Sequence, residues 1–266
     1  PYPMKTRAVW TATGSTAMQN TIDTIANNVA NVTTHSYKRA RASFSDLYYQ
    51  EIQMAGGGTP GVNQKPAGLM FGTGVKLAST DKIFSQGDPD RTDRPLDLTI
   101  NGQGFFRVTL ADNSIAYTRD GSLKINKDGD LVTSEGYHLD PAINIPQDIT
   151  DVIIDKSGLV QGRNQSDSQT LQDLGQLTLT RFINPSGLEA VGNNLYRGSA
   201  ASGDPLDGQP GLEGVGEIWQ GYLESSNVDI VKELIDLISA QRAFEINGNT
   251  IQTADQILQS INNLRR

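Results

Sequence analysis

The sequence predicts an α+β protein, with helices at its two ends and a mainly β middle. Three observations carry this reading. Near the N-terminus, Met18, Ile22, Ile25, Val29 and Val32 alternate spacings of 4 and 3, the period of a coiled-coil seam. Near the C-terminus, Leu237, Ala240, Phe244, Asn247, Ile251, Ala254, Leu258 and Ile261 hold the same alternation to the end of the chain. Between residue 35 and about 225, Gly, Pro, Asn and Asp punctuate short runs such as LDLTI, GFFRV, IAYTR and LTLTRF, which are strand signals.

In chain order, PYPMK (1–5) carries two prolines that oppose helix, so an extended lead-in is expected. Residues 8–32 then read as a helix about 38 Å long. A β region follows. At 226–229, Ser-Asn-Val-Asp reads as a capping box opening a second helix over 228–264, about 55 Å long, whose negative C-terminal end suits Arg265 and Arg266. Asn247 admits two readings: a polar seam residue that fixes register, or a water-facing residue beside a kink at Gly248. The ends together also admit two readings, an ordinary helical hairpin on a β domain or a self-assembling pair. Two narrow stripes bury little area as an isolated pair, and neighbouring chains would supply the rest.

Composition excludes several classes. At 266 residues and 36% hydrophobic, the chain is large enough for a sizeable core. It has no Cys, which excludes a disulfide scaffold, Cys-ligated zinc and a thiol nucleophile. With 22 basic against 30 acidic residues, net −8, nothing favours nucleic acid. Lys5 and Arg7 precede an apolar run broken by Thr11, Thr13 and Ser15, so no cleavable signal is read. No stretch approaches the roughly 20 apolar residues of a membrane span, and no direct membrane insertion is expected.

Five collinear stretches resemble the flagellar rod and hook family of axial proteins. They are ANNVANVTT with YKRARASFSDLYYQ (26–34 and 37–50), SQGDPDRTDRPLDLTINGQGFFRV (85–108), AYTRDGSLKINKDGDLVTSEGYHL (116–139), FINPSGLEAVGNNLY (182–196) and the block 220–258. Within the family, the length and the segment 48–76 are most similar to the distal rod type, a proximal rod protein of similar length being the alternative. The resemblance implies a coiled-coil tube domain from 1–35 and 225–266, an extended connecting arm over 36–76, and an outer β domain over 77–224. It further implies a structural homo-polymer of the basal body, spanning the periplasm to the outer membrane and transmitting torque. Its partners would be other rod proteins, the hook protein, peptidoglycan and outer-membrane ring proteins, and the flagellar type III export apparatus. One departure concerns the turn before the Tyr37-Lys38 pair, where the family has Gly and this chain has Ser36. If the turn needs a positive φ, Ser costs more there.

An enzyme acting on peptidoglycan is the reading from another class. Glycoside cleavage needs two carboxylates across a cleft, whereas Asp88, Asp90 and Asp93 crowd one loop beside Arg91 and Arg94 and read as a solvated turn. His35 and His138 lie far apart without a metal-binding spacing. NKDGD (126–130) lacks the Gly and Glu of a calcium loop and reads as a hairpin turn on Asp128-Gly129. NGQGFF (101–106) lacks a third Gly and reads as a tight strand connection, and GGGTPG (56–61) lacks the Lys of a phosphate loop. No catalytic residue, cofactor or metal is expected. The expected polymerisation interface is the two seams together with Asn27, Asn28 and Asn31, whose amides sit on the outer and flanking face of the first helix despite poor helix propensity.

Overall fold

The computed structural model describes residues 2–53, 69–164 and 171–264, which form two units. The first unit takes residues 1–30, 40–82 and 229–266. Its N-terminal helix α1, Tyr2–Ala30, starts earlier than the prolines suggest. Pro3 falls in the first turn, where its missing N–H would have had no helical acceptor in any case. After Ala30 the chain turns rather than continuing to Val32, and the Thr34 N–H donates to Asn31 O.

Strands β1 (Ala40–Asp46) and β2 (Tyr49–Gln53) run out, and β3 (Leu69–Gly72) and β4 (Val75–Lys82) run back. β1 pairs antiparallel with β4 from Ala40↔Lys82 to Asp46↔Val75, and β2 pairs with β3 from Tyr49↔Gly72 to Gln53↔Leu69. The chain thus runs out and back between Ala40 and Lys82 as two successive two-stranded pairs. Pairing satisfies the backbone groups that a lone extended segment would leave open. The central part of that segment, 54–68 with GGGTPG, lies outside the described residues. β1 and β4 lie against α1. At Gly74, φ is +118 and a Cβ would stand 2.3 Å from Thr13 Oγ1, so only glycine allows this approach.

The second helix α2, Ile230–Leu264, runs through Gly248 without a break and packs along α1. Its cap is Asp229, not Ser226: Asp229 Oδ1 accepts from Val231 N at 3.0 Å and Lys232 N at 3.3 Å. Ser226 Oγ accepts from Val228 N instead, one turn too early to cap the helix. Arg265 and Arg266 lie outside the described residues.

The second unit, 31–39 with 83–228, is mainly β, as the punctuated middle predicts. LDLTI contributes the strand Leu98–Asn101, paired with Glu217–Gln220. GFFRV contributes Phe105–Thr109, which pairs with Ile115–Thr118 from IAYTR and with Leu179–Arg181 from LTLTRF. These belong to the largest sheet among the described residues. The core of this unit gathers Phe106, Leu131 and Leu179 of that sheet with Leu98, Ile100 and Ile218 of the Leu98–Asn101/Glu217–Gln220 pair, all buried. A second cluster stacks Phe105, Tyr117, Phe182 and Tyr196 edge to face, with Tyr117 and Phe182 centroids 4.8 Å apart. Asp128-Gly129 does turn a hairpin between Lys124–Ile125 and Leu131–Val132, with Asn126 Oδ1 accepting from the Asp128 and Asp130 N–H groups.

Candidate assembly surface

In the first unit α1 and α2 pack along each other. Ile25 and Ala240 are buried, and Met18, Ile22, Val29, Leu237, Ile251 and Ala254 are partly so. Asn247 lies in the seam: its amide stands against Gly14 of α1, where a Cβ would come within 3.3 Å of Asn247 Nδ2. The missing side chain of Gly14 makes the room. Phe244 is 40% exposed, at the margin of the contact. The side chains of Leu258 and Ile261 lie outside the described part. Val32, past the helix end and in the second unit, is partly buried.

The asparagines divide. Asn27 is exposed, and Asn31 is partly buried, its Oδ1 accepting from Thr34 Oγ1. Asn28 departs from the expected outer position, being 1% exposed. It sits three residues after Ile25, at the flank of the seam where the start of β1 arrives. Asn28 Nδ2 donates to Ala40 O, and Asn28 Oδ1 accepts from Ala40 N, both at 2.9 Å. Nδ2 also donates to Glu233 Oε2 at 3.1 Å. One amide thus ties α1, β1 and α2 within the chain.

α2 carries a second apolar stripe outside the seam. Ile230, Val231, Leu234, Ile235 and Ile238 are all exposed, Val231 at 67% and Ile235 at 59%. At about 100° per residue, Val231, Leu234, Ile235 and Ile238 lie between about 120° and 180° around the helix from Ala240. That is the face away from α1. The signal was present in DIVKELIDLI, where apolar residues occur too often for a single narrow stripe.

The second unit holds a buried charged cluster. Glu224 Oε1 accepts from Lys38 Nζ at 2.6 Å and from Gly87 N at 2.9 Å, while Oε2 accepts from Arg119 Nε at 2.8 Å. All three charged side chains are nearly or wholly without solvent contact. Burial pushes the Glu224 carboxyl upward, but Arg119 and Lys38 outweigh it and hold it below the ordinary glutamate range. Burial lowers the Lys38 ammonium against the opposing pull of Glu224. Ser36 has φ +58, donates from its N–H to Glu224 O at 2.7 Å and from Oγ to Arg119 O at 2.9 Å. The turn does require a positive φ, and the serine hydroxyl offsets part of the strain. Asn227 completes the cluster, its Oδ1 accepting from Arg39 N and its Nδ2 donating to Ile83 O. Segments around 36–39, 83–87 and 224–227 are thereby bound together. Lys38, Arg119 and Glu224 are paired with one another, and among the described residues no group of three or more His, Asp or Glu could hold a metal.

Residues 99–162 match the family described as the flagellar hook protein FlgE/F/G D1 domain, and 220–264 match flagellar basal body rod FlgEFG protein, C-terminal. The chain is 47% identical over 252 residues to flagellar basal-body rod protein FlgG of Buchnera aphidicola subsp. Schizaphis graminum, covering 95% of this chain and 96% of that protein. It is 45% identical over 265 residues to FlgG of Borreliella burgdorferi, covering 98% and 99%. With the flagellar hook-basal body complex protein FlhP of Bacillus subtilis it shares 32% over 262 residues, covering 93% and 95%. These matches define an axial protein of the bacterial flagellum. Within that class, the chain belongs to the flagellar basal-body rod protein FlgG family.

Proposed function

We propose that the chain is the self-assembling structural subunit of the flagellar distal rod, a hollow shaft that carries torque from the motor to the hook. It is not an enzyme. The observation that carries the reading is the uncovered stripe Ile230, Val231, Leu234, Ile235 and Ile238 on α2, beside a seam already shared with α1. A helix apolar on two faces is stable in water only when both are covered. A second copy of the chain supplies the cover in a helical polymer of coiled-coil type, and the seam residues Leu237, Ala240, Phe244 and Asn247 brace the same helix from within. Burying five half-exposed aliphatic side chains contributes on the order of 5 kcal/mol per subunit before the cost of association. Other rod proteins, the hook protein, the peptidoglycan and outer-membrane ring proteins and the export apparatus are the partners this role entails, in the periplasm through to the outer membrane. No described helix is long and apolar enough to cross a membrane.

The test is the double variant Val231→Asp, Ile235→Asp. Both residues are exposed in the single chain, so the helical content and melting temperature of the subunit should stay close to wild type. Assembly should stop, because two charges would be buried without partners. Rods of normal length and a motile cell carrying this variant would overturn the assignment of the stripe.

A further inference from the structure

Asn101, the last residue of the strand Leu98–Asn101, and Gly102, which opens the connection to Phe105–Thr109, form an Asn-Gly pair, and both are exposed. Such a pair carries its own reaction. The Gly102 backbone nitrogen, on losing its proton, attacks Asn101 Cγ. A C–N bond forms, the bond from Cγ to the side-chain nitrogen breaks, and ammonia leaves with a proton from solvent. The product is a five-membered succinimide, which water then opens at either carbonyl to aspartate or to iso-aspartate. Glycine at the second position leaves the nitrogen without a shielding Cβ, so what governs the rate is how often nitrogen and Cγ reach attack geometry.

Gln86 touches both reacting groups. Its Oε1 accepts from Gly102 N at 3.0 Å, and its Nε2 donates to Asn101 Oδ1 at 3.3 Å. The backbone N–H can only donate, so the amide orientation of Gln86 is fixed by the network. The Gly102 N–H is thereby occupied as a donor, and the Asn101 amide oxygen is tethered to the same side chain, which restrains the Asn101 side chain against swinging onto the nitrogen. Gly102 O is also held, accepting from Arg119 Nη2 at 2.9 Å.

We propose that Asn101-Gly102 is a succinimide-forming deamidation site kept unreactive by Gln86. The position has little tolerance for the product. Asn101 pairs with Glu217 across the ladder, so a new carboxylate would face an existing one. Iso-aspartate would add a methylene to the backbone where a Cβ on Gly102 would already stand 2.9 Å from Gly216 Cα. A subunit locked in a long-lived polymer has no ready means of replacement, which gives such a guard its value.

The experiment compares the full-length wild type, Gln86→Ala and Gln86→Glu during incubation at neutral to mildly alkaline pH. It reads the amide-to-acid mass change in the peptide containing Asn101, together with iso-aspartyl methyl acceptance. Gln86→Ala should accelerate the reaction about three- to tenfold, the rate equivalent of one ordinary hydrogen bond. Gln86→Glu keeps an acceptor for Gly102 N–H and should stay near the wild-type rate. Gly102 amide hydrogen exchange should accelerate in the alanine variant alone. Equal rates in wild type and Gln86→Ala would overturn the proposal, because the strand ladder would then suffice as protection. A glutamate variant as fast as the alanine variant would overturn it too, because the tether on Gly102 N–H would not be what slows attack.

Discussion

Asn28 shows why the outer face of α1 cannot be read from helix periodicity alone. An asparagine on a helix flank looks solvated until another segment arrives, and here the arriving segment is Ala40, whose N–H and C=O both bond to the one amide. The sequence marks the residue as costly to the helix. It cannot say whether the compensating partner lies in this chain or in a neighbour. Asn28→Ala removes three hydrogen bonds and leaves two backbone groups of Ala40 and the buried Glu233 carboxylate without that amide. About 3 kcal/mol or more of stability should be lost in urea titrations of the subunit. Asn27→Ala, one position away and exposed, should change stability by no more than about 0.5 kcal/mol. Similar losses in the two variants would mean that the Asn28 bonds do not persist in solution. Ser36 was more legible: comparison with a family glycine flagged the turn, and its φ of +58 is what that glycine would have accommodated.

At the scale of elements, both helices and the β texture were legible because each rests on local periodicity: LDLTI, GFFRV and IAYTR became strands, and the two stripes became α1 and α2. The helix ends were less so. Pro3 was absorbed into the first turn, and capping chemistry fell to Asp229 because the helix opens at Ile230, not 228. The buried Lys38–Glu224–Arg119 cluster left no local trace, since its members come from three distant segments and each alone looks like an ordinary surface charge. The cap yields a direct comparison. Asp229→Ala should cost about 1 kcal/mol in thermal unfolding of the helical signal, and Ser226→Ala less than half of that. A larger loss for Ser226→Ala would restore the capping box that the sequence suggests.

For the whole molecule, the net charge is not spread evenly. Residues 31–39 and 83–228 carry 12 Lys and Arg against 21 Asp and Glu, a net of −9, so the remainder carries +1. The β unit is therefore the acidic one, and the unit that bears the apolar stripe is close to neutral. In the assembly proposed above, like-charged β units come together as the stripe is buried, so the two contributions oppose each other and respond differently to salt. Repulsion between exposed charges fades beyond a Debye length of about 8 Å at physiological ionic strength, whereas apolar burial does not weaken. Asp88, Asp90 and Asp128 are exposed, but the Asp130 carboxylate is engaged by Asn144 and Asn126, so neutralising it would also break structure. The triple variant Asp88→Asn, Asp90→Asn, Asp128→Asn should thus assemble at lower salt than wild type, with the melting temperature of the isolated subunit little changed. Light scattering across a salt series is the measurement. Coincident assembly curves for the two proteins would show that these acids do not set the balance, leaving the stripe on α2 to govern assembly alone.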